Sequence, residues 1–156
     1  MDHTFEQEII VNQPIDVVFR NISCLKGCIN WSTLLHETEK LDDEPVHVGS
    51  RYRHVGGFMG MKTESIAEVK VYNPPYEFAS GDSDSSKSMM PVEFRYTLSE
   101  VPGGTRIHNT FTFKSRSDLI GRAAASVLIP RLRKQIESDL HLFKEQVDAG
   151  MIVHAQ

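Results

Sequence analysis

Four side chains in this chain of 156 residues combine reactive type with a shared strand parity: Tyr52, His54, Tyr96 and Asn109. Tyr52 and His54 fall in an alternating run over 50–56, Tyr96 in one over 88–101, and Asn109 in one over 105–115. Residues two apart in a strand share a face, so all four are expected to point inward. A histidine titrating near neutrality can serve as general acid or base, and a tyrosine hydroxyl can steady an enolate. Aldol-type cyclisation or dehydration needs that combination, which makes His54, Tyr52 and Tyr96 the catalytic candidates. The plainer alternative is a hydrogen-bonded core histidine beside tyrosines whose hydroxyls are satisfied.

A second group could bind rather than react. Phe58, Met59 and Met61 sit in and beside a glycine-rich hairpin tip, with Met90 in the nearby 88–91 segment. Methionine adapts to irregular apolar shapes, and exposed apolar tips are uncommon. Arg131 could reach a ligand carboxylate with its guanidinium fork. A solvated helix face is the plainer reading of Arg131 and of its neighbours Arg133 and Lys134.

Other chemistries leave no trace. The histidines at 3, 36, 47, 54, 108, 141 and 154 form no HxH or HExxH pair and have no ligand spacing with the cysteines, so no metal is expected. Gly56-Gly57-Phe58-Met59-Gly60 leads from strand into strand, unlike a phosphate loop. No G-x-S-x-G elbow is present, and no cofactor is expected.

The elements that must hold these groups are legible from period. Residues 3–11 alternate, with Phe5, Gln7, Ile9 and Val11 on one side. Asn12-Gln13-Pro14 reads as a helix start, with Asn12 or Gln13 as cap, and a second short helical turn leads to Trp31. Six further strands are expected over 33–41, 50–56, 61–72, 76–83, 88–101 and 105–115, joined by short turns that favour an antiparallel meander. Ile107, Asn109, Phe111 and Phe113 share one face of the last strand; Val92, Phe94, Tyr96 and Leu98 share one face of the strand before. A long helix over 118–147 closes the chain. Its expected stripe is Ile120, Ala124, Val127, Leu128, Ile136, Leu140, Phe143 and Val147. Pro130 should kink or split it, Asp118 should cap it and Gly150 should end it.

Composition bounds the rest. The size suits one domain over 1–156, and 40 % hydrophobic with 24 % charged residues is ordinary for a globular chain. A net charge of −4 gives no reason to expect nucleic acid or an anionic membrane as partner. No apolar run nears the ~20 residues of a membrane span, and the opening residues resemble neither signal nor transit peptide. The expected location is the cytoplasm. Cys24 and Cys28 make no disulfide framework and are expected as reduced, partly buried thiols. Ile10 and Ile66 look outward, so a homodimer is open beside a monomer.

In this order the elements resemble the START-like (SRPBCC) superfamily, nearest its polyketide cyclase/dehydrase and lipid-transport group. The likeness rests on Val11-Asn12-Gln13-Pro14-Ile15-Asp16-Val17-Val18-Phe19, Trp31, Val48-Gly49-Ser50-Arg51-Tyr52-Arg53, Asn73-Pro74-Pro75-Tyr76-Glu77-Phe78 and Gly103-Gly104-Thr105-Arg106-Ile107. It covers roughly residues 3–149. It implies an α+β helix-grip fold: a seven-stranded antiparallel sheet around the C-terminal helix, two short helices after strand 1, and a cavity between sheet and helix. The cavity would take a hydrophobic or amphipathic small molecule, lined by Phe58, Met59, Met61, Met90, Phe94, Asn109, Phe111, Val127, Leu128 and Arg131. Three readings stand open: a hydrophobic-ligand or lipid carrier, a cyclase/dehydrase-type enzyme using His54 with Tyr52 or Tyr96, and a protein-interaction module without a small ligand.

Overall fold

In the computed structural model, which describes residues 2–88 and 90–150, the chain runs as seven strands and a closing helix. The strands are β1 (Asp2–Val11), β2 (Leu35–Lys40), β3 (Arg51–Phe58), β4 (Met61–Asn73), β5 (Glu77–Asp82), β6 (Val92–Val101) and β7 (Gly104–Lys114). Between β1 and β2 lie α1 (Ile15–Ile22) and a 3-10 helix (Leu25–Asn30); α2 (Leu119–Asp148) ends the fold. All pairings are antiparallel in one sheet of order β1-β7-β6-β5-β4-β3-β2. This is the expected helix-grip arrangement, with β1 and β2 as the free edges. Met89 and residues 151–156, His154 among them, lie outside the described residues.

The alternations hold where expected. β1 pairs with β7 in register from Asp2↔Lys114 to Val11↔Thr105, and its odd residues turn inward. Ile107, Asn109, Phe111 and Phe113 are buried on β7, opposite the inward residues of β6. Two bulges reset parity. One between Leu35 and Glu37 brings Thr38, rather than Glu37, to the face that Leu35 occupies; one between Val69 and Val71 turns Tyr72 inward beside Phe78. β2 can approach β3 so closely because Gly56 has no Cβ, which would stand 1.9 Å from the Leu34 carbonyl oxygen.

Three expectations about the helices are overturned in whole or in part. Asn12 and Gln13 do not cap α1: Pro14 holds that position, with no side-chain cap bond. The Asn12 backbone N–H and side chain donate to the Asp148 carboxylate instead, and Gln13 Nε2 donates to the Val147 carbonyl at 3.2 Å, tying the end of β1 to the end of α2. Of the two outcomes expected at Pro130, the split does not occur: α2 is continuous through it. Ile129 and Leu132 flank the proline and are both buried in one cluster, and this packing offsets the ~3 kcal/mol that an interior proline costs.

The third concerns the stripe, which holds at Ile136, Leu140, Phe143 and Val147 and is out of phase before Pro130. Gly121, Ala125, Ile129, Leu132, Ile136, Leu140, Phe143 and Val147 are buried, while Ile120 and Val127 are 70 % and 54 % exposed and Ala124 is exposed. In the first half of α2 both faces carry apolar residues, so periodicity alone admits either phase. Asp118 does cap the helix, accepting from the Gly121 N–H at 2.8 Å, and Gly150 follows its end at φ +84°.

Two apolar clusters divide the interior. One gathers α1, the 3-10 helix, Tyr52, Val69, Phe78, Tyr96, Leu98, Ile107 and the last third of α2. The other joins Phe111 and Phe113 to Ala125, Ile129, Leu132 and Ile136, with Phe5, Leu34, Phe58, Met90, Val92 and Phe94 packed around it.

Candidate functional site

The inward polar groups of the sheet sort into two kinds. Asn109 on β7 is 1 % exposed and fully engaged: its Nδ2 donates to the Arg95 carbonyl at 3.0 Å, and its Oδ1 accepts from Gln7 Nε2 at 2.9 Å. It ties β1, β6 and β7 together. Tyr96 is buried in the first cluster with its ring stacked on Phe94 at 6.4 Å, and burial drives its hydroxyl pKa far upward. Tyr52 is wholly buried in the same cluster, its pKa pushed up to about 12 chiefly by desolvation.

His54 is different. It follows Tyr52 on the same face, ring centroids 6.3 Å apart, and pairs across the strands with Thr38 on β2 and Ser65 on β4. Residues directly opposite in an antiparallel pair stand ~5 Å apart at Cβ, so Thr38, His54 and Ser65 form one polar row. All three are half-buried. Among the described residues, the buried side-chain atoms without a hydrogen-bond partner are Thr38 Oγ1 and His54 Nε2. Desolvation lowers the His54 pKa from 6.5 to about 4, so the ring is neutral at physiological pH. A neutral imidazole of so low a pKa is a weak base, which cuts against the near-neutral acid–base role.

The three catalytic candidates come from two strands, Tyr52 and His54 from β3 and Tyr96 from β6. Tyr52 and His54 are neighbours on β3, and Tyr96, three strands away in the sheet order, packs into the same cluster as Tyr52. Thr38 and Ser65, absent from the candidates, are what the fold sets beside His54. The bulge at Leu35/Glu37 hides Thr38 from any reading of alternation.

Of the binding candidates, Phe58, Met90, Phe94 and Phe111 meet in the second cluster with the buried face of α2. Leu128 is half-buried, whereas Val127 lies exposed. Met59, at φ 54°, and Met61 are about half exposed at the β3–β4 tip. Arg131 is exposed and leans on that tip, its Nη1 3.6 Å from Met59 Sδ. Cys24 and Cys28 are free and buried rather than partly buried, and burial pushes the Cys28 thiol up to about 12.

Two further features frame the site. Asp139 interrupts the apolar face of α2, buried, with its carboxylate accepting from the Thr33 hydroxyl at 2.8 Å and its N–H at 3.1 Å. Burial raises the Asp139 pKa against those two bonds, and the contact clamps the approach to β2 onto α2. A surface groove of about 550 Å³ lies elsewhere, between β1 and the later part of α2, lined by Glu8, Ile9, Ile10, Asn12, Arg106, His141 and Lys144. It holds none of the candidate residues. Among the described residues, no group of three or more His, Cys, Asp or Glu could hold a metal ion, and no helix is long and apolar enough to cross a membrane.

Comparison with known proteins gives the same architecture. The family model for polyketide cyclase/dehydrase and lipid transport matches residues 2–148. A solved protein from Thermus thermophilus superposes with TM-score 0.78 at 19 % identity, covering 95 % of this chain and 99 % of its own. The Zhui aromatase/cyclase from a Streptomyces species gives 0.77 at 13 %, covering 94 % and 93 %. A START superfamily protein from Mycobacterium smegmatis gives 0.72 at 14 %, covering 93 % and 99 %. At these identities the likeness is one of fold. No curated protein matches the chain.

Proposed function

The chain belongs to the polyketide cyclase/dehydrase and lipid-transport family, and from that premise we propose that it carries a hydrophobic or amphipathic small molecule between the sheet and α2. The observation that supports this most is the unfilled hydrogen-bonding capacity at Thr38 and His54. A fold that elsewhere satisfies its buried polar groups, as at Asn109 and Asp139, rarely keeps two orphans without use. Phe58, on the same strand as His54, packs with Phe94, Phe111, Ile129 and Leu132 in the apolar cluster under α2. A few polar groups converging against apolar walls are the ordinary make-up of a small-molecule site.

Native mass spectrometry of the protein from its own cells, followed by denaturing extraction, tests the reading. A stoichiometric hydrophobic molecule is expected. An empty protein that also ignores fatty acids, sterols and aromatic polyketides overturns it. A released molecule with an enolisable carbonyl would shift weight to the cyclase-type alternative, with His54 as the reacting neighbour.

One observation favours the interaction-module reading: Leu119, Ile120 and Val127 expose apolar surface at 81 %, 70 % and 54 % along one end of α2. Analytical ultracentrifugation across concentration tests its simplest form, self-association through that surface. A monomer at every concentration removes that form.

A further inference from the structure

We propose that Thr38 and His54 form the polar pole of the ligand site and receive an uncharged hydroxyl of an otherwise hydrophobic molecule. This rests on the carrier reading above and adds the chemical class of the cargo. The two side chains face each other across the β2–β3 register, and Thr38 Oγ1 and His54 Nε2 are both buried and unpaired. Leaving such an atom unpaired costs about 1–3 kcal/mol, so one group that satisfies both removes two penalties with a single small contact. Ser65, the partner of His54 on β4, extends the same row.

The chemistry of the surroundings selects the group. A hydroxyl both donates and accepts, so it can pair with the threonine and with either tautomer of a neutral imidazole. A carboxylate would need a cation, and the cations on β2 and β3 are already paired. Lys40, which shares this face through its pairing with Tyr52, has its Nζ held by the Asp42 carboxylate and the Glu44 carbonyl. Arg51 and Arg53, on the opposite face of β3, pair with Glu68 and with Glu64, Glu37 and Glu39. Arg131 leans on Met59 at the hairpin tip. An amine would arrive charged and meet no buried anion in this row. The neutral state of His54 near pH 7 agrees with an uncharged guest.

Three probes on one skeleton test this: naphthalene, 2-naphthol and 2-naphthoate, titrated by calorimetry into the whole protein at about pH 7.5, where His54 is neutral. N-phenyl-1-naphthylamine fluorescence reports in parallel whether an apolar probe enters at all. In a purely apolar site the naphthol hydroxyl loses its water and binds more weakly than naphthalene. With the proposed pole, 2-naphthol binds at least as tightly as naphthalene, and 2-naphthoate binds weakest. Thr38→Val with His54→Phe should weaken 2-naphthol about tenfold or more and leave naphthalene within about twofold. Thr38→Ser, which keeps the hydroxyl, should retain the preference, and circular dichroism checks that each variant is folded.

Weaker binding of 2-naphthol than naphthalene, an unchanged 2-naphthol affinity in the double variant, or tightest binding of 2-naphthoate would each overturn the proposal while the carrier reading stands. Failure of N-phenyl-1-naphthylamine and all three probes to bind would overturn both.

Discussion

Asn109 and His54 project from the same face of one sheet, yet their surroundings are opposites. Around Asn109 the amide is committed: Gln7 and the Arg95 carbonyl take it, and Tyr96, its partner on β6, is buried in the cluster with α1 and the last third of α2. Around His54, β2 and β4 offer Thr38 and Ser65, and neither the imidazole Nε2 nor the threonine hydroxyl is paired. The difference shows how one fold separates two tasks. The region around α1 holds the protein together, and the β2–β3–β4 row at His54 keeps hydrogen-bonding capacity in reserve.

The contrast is sharpest where packing is tightest. Phe143 is 1 % exposed, edge-on to Trp31 at 5.2 Å, so Phe143→Ala should cost about 3–5 kcal/mol in chemical denaturation. A loss below about 1 kcal/mol would mean that this end is not closed. Asn109→Leu should cost about 2–3 kcal/mol, because Gln7 Nε2 and the Arg95 carbonyl lose their buried partner. If that variant melts like the parent, Asn109 is not the structural tie described here.

His54 should behave in the reverse sense. Its proton binds near pH 6.5 in the unfolded chain but near about 4 in the fold. Between those values the unfolded chain holds more protons, so stability is constant above about pH 7 and declines as pH falls, by up to about 3 kcal/mol. His54→Phe should flatten that part of the stability–pH curve and be neutral or mildly stabilising at about pH 7.5. Identical curves for variant and parent would place the ring in ordinary solvent. The smallest effect is expected at Val127, where Val127→Ala should stay within about 0.5 kcal/mol. Ile129→Ala, on the buried face, should lose about 2 kcal/mol or more, and equal losses at the two positions would reverse the assigned phase of α2.

Much of this molecule is written locally. The alternation of Phe5, Gln7, Ile9 and Val11 and of Ile107, Asn109, Phe111 and Phe113 sets which side of β1 and β7 is buried, because a period of two has one apolar solution there. Turn residues mark the strand ends, Asp118 starts α2, and the antiparallel order follows from short connections. From these a sheet wrapped around a closing helix and the inward placement of Tyr52, His54, Tyr96 and Asn109 were legible, and the family resemblance added the helix-grip arrangement.

What local pattern could not settle depends on which partners the fold brings together. The bulge in β2 places Thr38 opposite His54, and a one-residue offset leaves no mark in composition. The phase of α2 before Pro130 was ambiguous because Ile120 and Val127 are as apolar as Ala125 and Ile129; contact with Phe111 and Phe113 chose between them. Asn12 and Gln13 have side chains fit to cap α1, but the end of α2 arrives beside them and takes their hydrogen bonds. His54 could be named from sequence as an inward histidine, but its lowered pKa and its unpaired nitrogen arise from burial and cross-strand neighbours. Sequence determined the elements and their faces through short-range sterics and periodic burial. Tertiary structure decided which polar atoms are satisfied, since a hydrogen bond between distant residues exists only once the sheet and helix have closed around it.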